Sequence, residues 1–402
     1  MTSLIAALLL EYRQDGVSAD PGVLDAMYAE ACSAGAPLAC EASTWRGKAL
    51  ADAARDAFGP ACAAGNAAGC LGLGWASSQI DGRVDPAAPG ITGAAESLKQ
   101  ACALGADRGC VDLGTLHQFG AGVPEPAPDV AVGLYRRGCE AGEMSGCRRL
   151  GAMYHLGVGV NRDAVRAREL YARACDGGLA EGCNGIGLLD ELPGGGAPGG
   201  PIGDPSAAEG WYRQACDRGL PAGCGNLARV LDKAGATFDI VVPLFKRGCD
   251  GDVAGSCLFY GGYLLAHTGD PVETARAFGR ACDLALPAAC LELGIRQLRG
   301  EGVVADPGAG ADRLESACRS GVTDACVTLA VAADEGHFVA TDEARATWAF
   351  GAACEAGLGD ACRITADRLR RGIGAARDPV RASELYFQGC NLGDKGACRR
   401  AH

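Results

Sequence analysis

The side chains with the most chemistry available to them are 22 cysteines. They fall into eleven pairs, the second member always eight positions after the first: Cys32 and Cys40, Cys62 and Cys70, Cys102 and Cys110, Cys139 and Cys147, Cys175 and Cys183, Cys216 and Cys224, Cys249 and Cys257, Cys282 and Cys290, Cys318 and Cys326, Cys354 and Cys362, Cys390 and Cys398. Structural zinc clips space their ligands by two to four residues, not seven. Only five histidines are present (His117, His155, His267, His337 and His402), and eleven pairs do not divide into four-cysteine sites. A catalytic dithiol is one pair at Cys-x-x-Cys spacing rather than eleven equal ones. Two readings are left. The pairs are disulfides in an oxidising compartment, or they are reduced, buried thiols of a cytosolic protein.

The elements that position the cysteines repeat with them. Steps between pairs are 30, 40, 37, 36, 41, 33, 33, 36, 36 and 36 residues, the period of a helix-turn-helix array. Four residues before each first cysteine stands Tyr28, Phe58, Leu98, Tyr135, Tyr171, Tyr212, Phe245, Phe278, Leu314, Phe350 or Tyr386. Ala or Gly immediately precedes that cysteine, and Ala is commonest eight before it. These offsets trace one helical stripe, so a first helix (helix A) ends at the cysteine. Helix B starts near the second cysteine. Gly or Ala stands four residues after it in nine of the ten units that continue, leaving room for the large helix A residue.

Gly follows the first cysteine at the third position in nine units, with Asp252 and Ala285 as the exceptions. On a straight helix, residues eight apart are separated by about 12 Å. A disulfide needs Cα atoms within roughly 7 Å. A pair that is bonded therefore demands a chain reversal, which Gly permits by adopting the left-handed conformation. "ACDGGLAEGC", residues 174–183, reads as such an αα-corner. One bridge across so short a loop contributes about 2–3 kcal/mol.

Units such as "GLYRRGCEAGEMSGCRRLGAMYHLGVGVNRD" and "ELYARACDGGLAEGCNGIGLLDE" resemble Sel-one-like repeats, relatives of tetratricopeptide repeats. The L-G-x-x-Y stretch of helix B, the G-x-G-V loop and the cysteine spacing occur in that family's order, and the paired cysteines resemble its cysteine-rich Hcp subfamily. The resemblance covers the chain from end to end. It implies an all-α fold, an α-solenoid coiled as a right-handed superhelix of about eleven helix-turn-helix repeats with one disulfide each. It also implies a non-catalytic scaffold for a protein or peptide partner, secreted, periplasmic or at the cell surface. Some cysteine-rich members are described as penicillin-binding with weak β-lactamase activity, so a hydrolase of that type is the rival reading. No motif here carries it: none of Lys48, Lys99, Lys233, Lys246 and Lys395 has a Ser three residues before it. No cofactor is expected.

The formal net charge is −12, which argues against phosphate-backbone binding and hence against nucleic acid. No apolar run reaches the roughly 18 residues of a membrane span. The opening "SLIAALLLEYRQDGVSAD" lies over helix B and its loop better than it fits a signal peptide, so the chain reads as starting on half a repeat and as one solenoid over 1–402. Three departures from the pattern stand out. Residues 77–93 lengthen one loop, and "LPGGGAPGGPIGDP", 192–205, is a flexible loop or hinge. The links after Cys40, Cys224 and Cys257 lack the G-x-G-V loop.

Two and three positions before the first cysteine, outward of the core stripe, lies a basic ladder: Lys99, Arg136, Arg137, Arg173, Arg213, Lys246, Arg247 and Arg280. It reads either as a track for an anion or peptide carboxylate, or as cations answering the helix C-terminal dipole. Trp211 falls on the core stripe. Trp348 falls outward, as an anchor for a partner.

Overall fold

The structure is a computed structural model that describes residues 58–80, 83–84, 91–191, 205–267, 269–336 and 340–401. The Cys32/Cys40 pair, the half repeat at the start, Trp45, His337, His402 and residues 192–204 of the expected hinge lie outside the described residues. Contacts group the chain into two compact units, 1–215 and 216–402.

In the first unit, residues 58–63 are helical, followed by α1 (Ala67–Ser78), β1 (Gln79–Ile80), β2 (Arg83–Val84), α2 (Ile91–Ala103), α3 (Asp107–Phe119), α4 (Pro128–Glu140), α5 (Met144–Leu156), α6 (Ala164–Asp176) and α7 (Ala180–Glu191). The unit boundary falls within α8 (Pro205–Asp217). The second unit continues with α9 (Pro221–Lys233), α10 (Phe238–Asp250), α11 (Ala254–His267), α12 (Pro271–Asp283), α13 (Pro287–Arg299), α14 (Pro307–Arg319), α15 (Thr323–Glu335), α16 (Glu343–Glu355), α17 (Gly359–Arg371), α18 (Pro379–Asn391) and α19 (Lys395–Cys398). Within each unit successive helices pack on one another, and helix B of one repeat touches helix B of the next, as α3 touches α5. The fold is an all-α array of helix pairs, a helical repeat solenoid. Inside the stretch expected as a plain loop at 77–93, β1 and β2 form an antiparallel ladder pairing Gln79 with Val84, and α2 has already begun at Ile91.

The core is the expected stripe. Phe58, Leu98, Tyr135, Tyr171, Tyr212, Phe245, Phe278, Leu314, Phe350 and Tyr386 are all buried, none more than 7% exposed. Trp211 is only half-buried. Where the small residue of helix B is a described glycine, the large residue of the following helix A lies against it. A β-carbon on Gly114 would come within 2.8 Å of the Tyr135 ring, and one on Gly261 within 2.8 Å of Phe278. The hydroxyls of Tyr135, Tyr212 and Tyr386 are satisfied, Tyr212 by Glu191 at 2.7 Å. Tyr135 donates to Gln118 at 2.7 Å, and Tyr386 donates to Asp367 at 2.6 Å. A buried ring without such an acceptor would strand a polar group.

A second close approach lies one residue before the second cysteine. A β-carbon on Gly182 would come within 2.5 Å of the Cys175 nitrogen, so helices A and B of one repeat nearly touch backbones there. Loops are tied down as well. In the G-x-G loops both glycines have positive φ, and a side chain at Gly302 would overlap the Pro271 carbonyl at the start of its own repeat. Helix A then starts on an aspartate cap, as where Asp306 accepts from Ala309 N at 3.0 Å ahead of Pro307.

All ten described cysteine pairs are disulfides, with Cα–Cα distances from 4.3 to 4.8 Å. The third residue after the first cysteine has positive φ in every described repeat, including Asp252 and Ala285, both at 60°. At the corner of residues 174–183, Gly178 N donates to Cys175 O at 3.0 Å and Leu179 N to Ala174 O at 2.9 Å, which closes the end of helix A. A left-handed L-residue carries a penalty that glycine does not. Ala285→Gly is expected to raise stability by about 1 kcal/mol, while Gly178→Ala lowers it by a similar amount. A β-carbon at Gly178 meets nothing within 4 Å, so its thermal midpoint isolates the backbone cost.

Candidate binding surface

Most of the basic ladder is engaged with its own protein. Arg137 donates to Cys102 O at 2.7 Å and Arg247 to Cys216 O at 2.9 Å. Each thereby reaches from one helix A to the last turn of the helix A before it. Arg280 does likewise, donating to Asp250 O at 2.9 Å while its Nε bonds Asp252 at 2.9 Å. Gln100 occupies the same position and donates to Cys62 O at 3.4 Å. In these four repeats a donor two residues before the first cysteine thus caps the preceding helix A, adding a bond to its C-terminal carbonyls at the negative end of the dipole. The other position pairs locally: Lys99 with Glu96, Arg213 with Glu209, Lys246 with Asp250. The sequence offers no sign of the first role, because the acceptor lies thirty or more residues back.

Trp348 is half-buried, and the Arg319 guanidinium lies 4.4 Å above its ring. Arg319 is held in turn by Glu315, which also accepts from Arg345 Nε at 2.8 Å. Arg345 reaches Asp312 at 2.7 Å, so the network joins α14 to α16. The face expected as a free anchor is covered from the neighbouring repeat. The hydrogen bond from Arg319, with help from Arg345, holds the Glu315 carboxyl below its ordinary value of 4.5. A carboxylate depressed by folding stabilises the fold above its unfolded pKa, and that contribution disappears as pH falls through the folded value. Glu315→Gln is therefore expected to melt below the parent protein at pH 7, with the gap closing as pH drops below about 4. Melting curves across that range check the sign.

Two ladder members come together at a different kind of place. Arg136 and Glu140 on α4 and Arg166, Glu169 and Arg173 on α6 surround a cleft of about 390 Å³, with Tyr154 of α5 between them and Leu150 and Leu170 also lining it. The Tyr154 hydroxyl is shared by two guanidinium groups, Arg166 at 3.3 Å and Arg136 at 3.5 Å. Arg166 also lies 5.6 Å from the centre of the Tyr154 ring. The hydrogen bond from Arg166 lowers the Tyr154 pKa, opposing a smaller effect of burial. Arg173 is exposed at the rim. Three cations converging over leucines suit an anionic group on an otherwise apolar ligand. Tyr154 and Arg166 were not among the candidates from sequence. Tyr154 closes the stretch "LGAMY", and that the L-G-x-x-Y tyrosine of this unit faces two arginines only emerges when α4 and α6 sit side by side.

Among the described residues no group of three or more His, Cys, Asp or Glu is placed to hold a metal, and no helix is long and apolar enough to cross a membrane.

Helix pairs in a fixed register, each described corner closed by a disulfide, define a cysteine-rich helical repeat protein. A family model described as the Sel1 repeat matches residues 108–143, 145–179, 180–220, 287–322 and 359–394. Each match starts at or beside a helix B and runs through the next helix A. Among solved structures the chain is similar to a protective antigen present in uropathogenic Escherichia coli strains that displays an SLR fold. That likeness has 22% identity and a TM-score of 0.58, over 99% of this chain and 85% of that one. A Sel1 repeat protein from Oxalobacter formigenes is matched at 22% identity and a TM-score of 0.40, over 85% and 88%. Cysteine rich protein B of Helicobacter pylori is matched at 24% identity and a TM-score of 0.27, over 33% and 92%. The first likeness supports the fold; the other two carry no weight in it. No curated protein matches the chain in sequence.

The two roles of the ladder separate on substitution. Arg137→Ala is expected to lower stability by about 1 kcal/mol, through the lost capping bond. Arg173→Ala should leave the melting temperature unchanged.

Proposed function

We propose that this chain is a protein-binding scaffold of an oxidising, extracytoplasmic compartment, and that its cleft between α4 and α6 holds an acidic group of a bound peptide. Sel1 repeat proteins in general bind proteins, which supports the first part. The single observation behind the second is the convergence of Arg136, Arg166 and Arg173 around Tyr154, in a chain whose net charge is −12. Against that background a local cluster of cations is a place where an anion is attracted rather than repelled. Leu150 and Leu170 supply apolar contact to the residue that carries the acid. Glu140 and Glu169 at the rim discriminate against a ligand with several negative charges, because each further charge meets a like charge.

The disulfides support the compartment. Ten corners joined in this way belong to an oxidising environment. Intact mass after thiol alkylation, on protein from its native host, is expected to show no free thiol. A fully alkylated chain would remove the extracytoplasmic reading.

Binding is tested with fluorescent peptides that bear one glutamate or a free carboxyl terminus beside an apolar residue, against their amide counterparts. The acid forms are expected to bind at least tenfold more tightly at low salt, with the difference shrinking as ionic strength rises. Arg173→Glu should abolish that preference at an unchanged melting temperature. Equal affinity for acids and amides would sink the proposal for this cleft.

A further inference from the structure

We propose that the second unit pairs with a second copy of itself through α11, as a two-fold dimer whose axis passes beside Gly262. The opening observation is chemical. Across its fourteen residues, "AGSCLFYGGYLLAH", α11 has no Asp, Glu, Lys or Arg. Among the described residues every other helix of the second unit carries at least one. Helix B normally turns a charged or polar side to water; α11 turns an apolar one. Phe259 is 45% exposed and Leu265 54%.

The arrangement of those residues points to the occupant. Phe259 and Leu265 stand three positions before and after Gly262, and Leu258 and Ala266 stand four positions before and after it. A stripe that reads large, small, large in both directions is self-complementary under a two-fold axis. An isologous interface requires just this property, since the contact of residue i with j is matched by j with i. With the helices antiparallel and crossing at Gly262, Phe259 of one copy lies beside Leu265 of the other. A β-carbon built on Gly262 meets nothing within 4 Å, so the two helices can approach to the short end of the usual 8–10 Å range.

The surface holds both knob and hole. Along α11 runs a cleft of about 540 Å³, lined by the stripe itself, Phe259 and Leu265 included, and by Phe278 and Glu292. It is of a size to receive the aromatic ring of the facing helix. That ring is already fixed: Phe259 stacks on Phe245 at 5.1 Å between centroids and 20° between planes. A knob held by packing loses little freedom on docking.

Charge selects self-pairing over a charged partner. Two copies of a chain of net charge −12 repel at long range, so they meet at least cost on an uncharged face. The helix stripe itself brings no charge of either sign to a facing copy, and the Glu292 carboxylate on the cleft wall is paired with Arg296 at 2.9 Å. The proposal is independent of the cleft between α4 and α6.

The test is the mass of the full, oxidised chain at tens of micromolar, by light scattering and sedimentation velocity. Twice the mass of one chain is expected, and added salt should strengthen rather than weaken the dimer as the long-range repulsion is screened. Leu265→Glu and Phe259→Glu should each shift dissociation at least tenfold toward single chains, with melting temperature unchanged for Leu265→Glu. Val304→Glu is the control, since Val304 is 90% exposed in a loop of the same unit and outside the stripe. It should leave the dimer intact. A parent chain that stays single overturns the proposal, even if this face binds another protein. So does a dimer that survives both Leu265→Glu and Phe259→Glu, or one lost equally with Val304→Glu.

Discussion

The rest of the structure depends on one reversal, repeated in every described unit. The third residue after the first cysteine turns into the left-handed region, and the chain doubles back so that two cysteines face each other across less than 5 Å of Cα separation. The angle between helices A and B follows from that turn, and so does the direction in which the next unit is presented. Asp252 and Ala285 show that the turn is imposed by the corner and not by glycine. Both take a positive φ that their side chains disfavour. Asp252 at least gains an ion pair there, with Arg280.

Packing between units obeys a second constraint, a shortage of volume. A small residue on helix B and a large one on the following helix A fill one space between them, and a side chain at Gly114 or Gly187 would intrude on the ring that fills it. Neither partner alone defines the distance between repeats. Where the large residue is leucine, as at Leu98 and Leu314, the same glycine position still meets it, at Gly74 and Gly294. The contact is between repeats, so an isolated unit has no complete core.

The cysteine spacing, the stripe and the glycine positions made helix order, corner and core legible, because all of these depend on residues within one period. What the ladder of cations does was not legible. Arg137 and Arg247 look like an exposed face on their own helices, and only the arrival of the preceding carbonyl gives them an acceptor. The cover over Trp348 was hidden for a related reason: it comes from Arg319 of the previous repeat. The cleft at Tyr154 needed three helices to be placed before its cations converged. Local periodicity fixes which way a side chain points. It does not say what waits there.

The short span of each disulfide has a consequence for how the chain acquires them. With 22 cysteines the number of wrong pairings is very large, yet every described bond joins partners eight residues apart. The nearest competitor of Cys147 on the far side is Cys175, 28 residues on. In the unfolded chain, loop closure favours the eight-residue partner over that one by about 1 kcal/mol. The left-handed turn adds to the bias by bending the chain toward its own pair. Each bond can therefore close as soon as its corner emerges, whatever the state of the units on either side of it. A chain oxidised in that order is sorted by proximity, with little need for an isomerase to reshuffle its bonds.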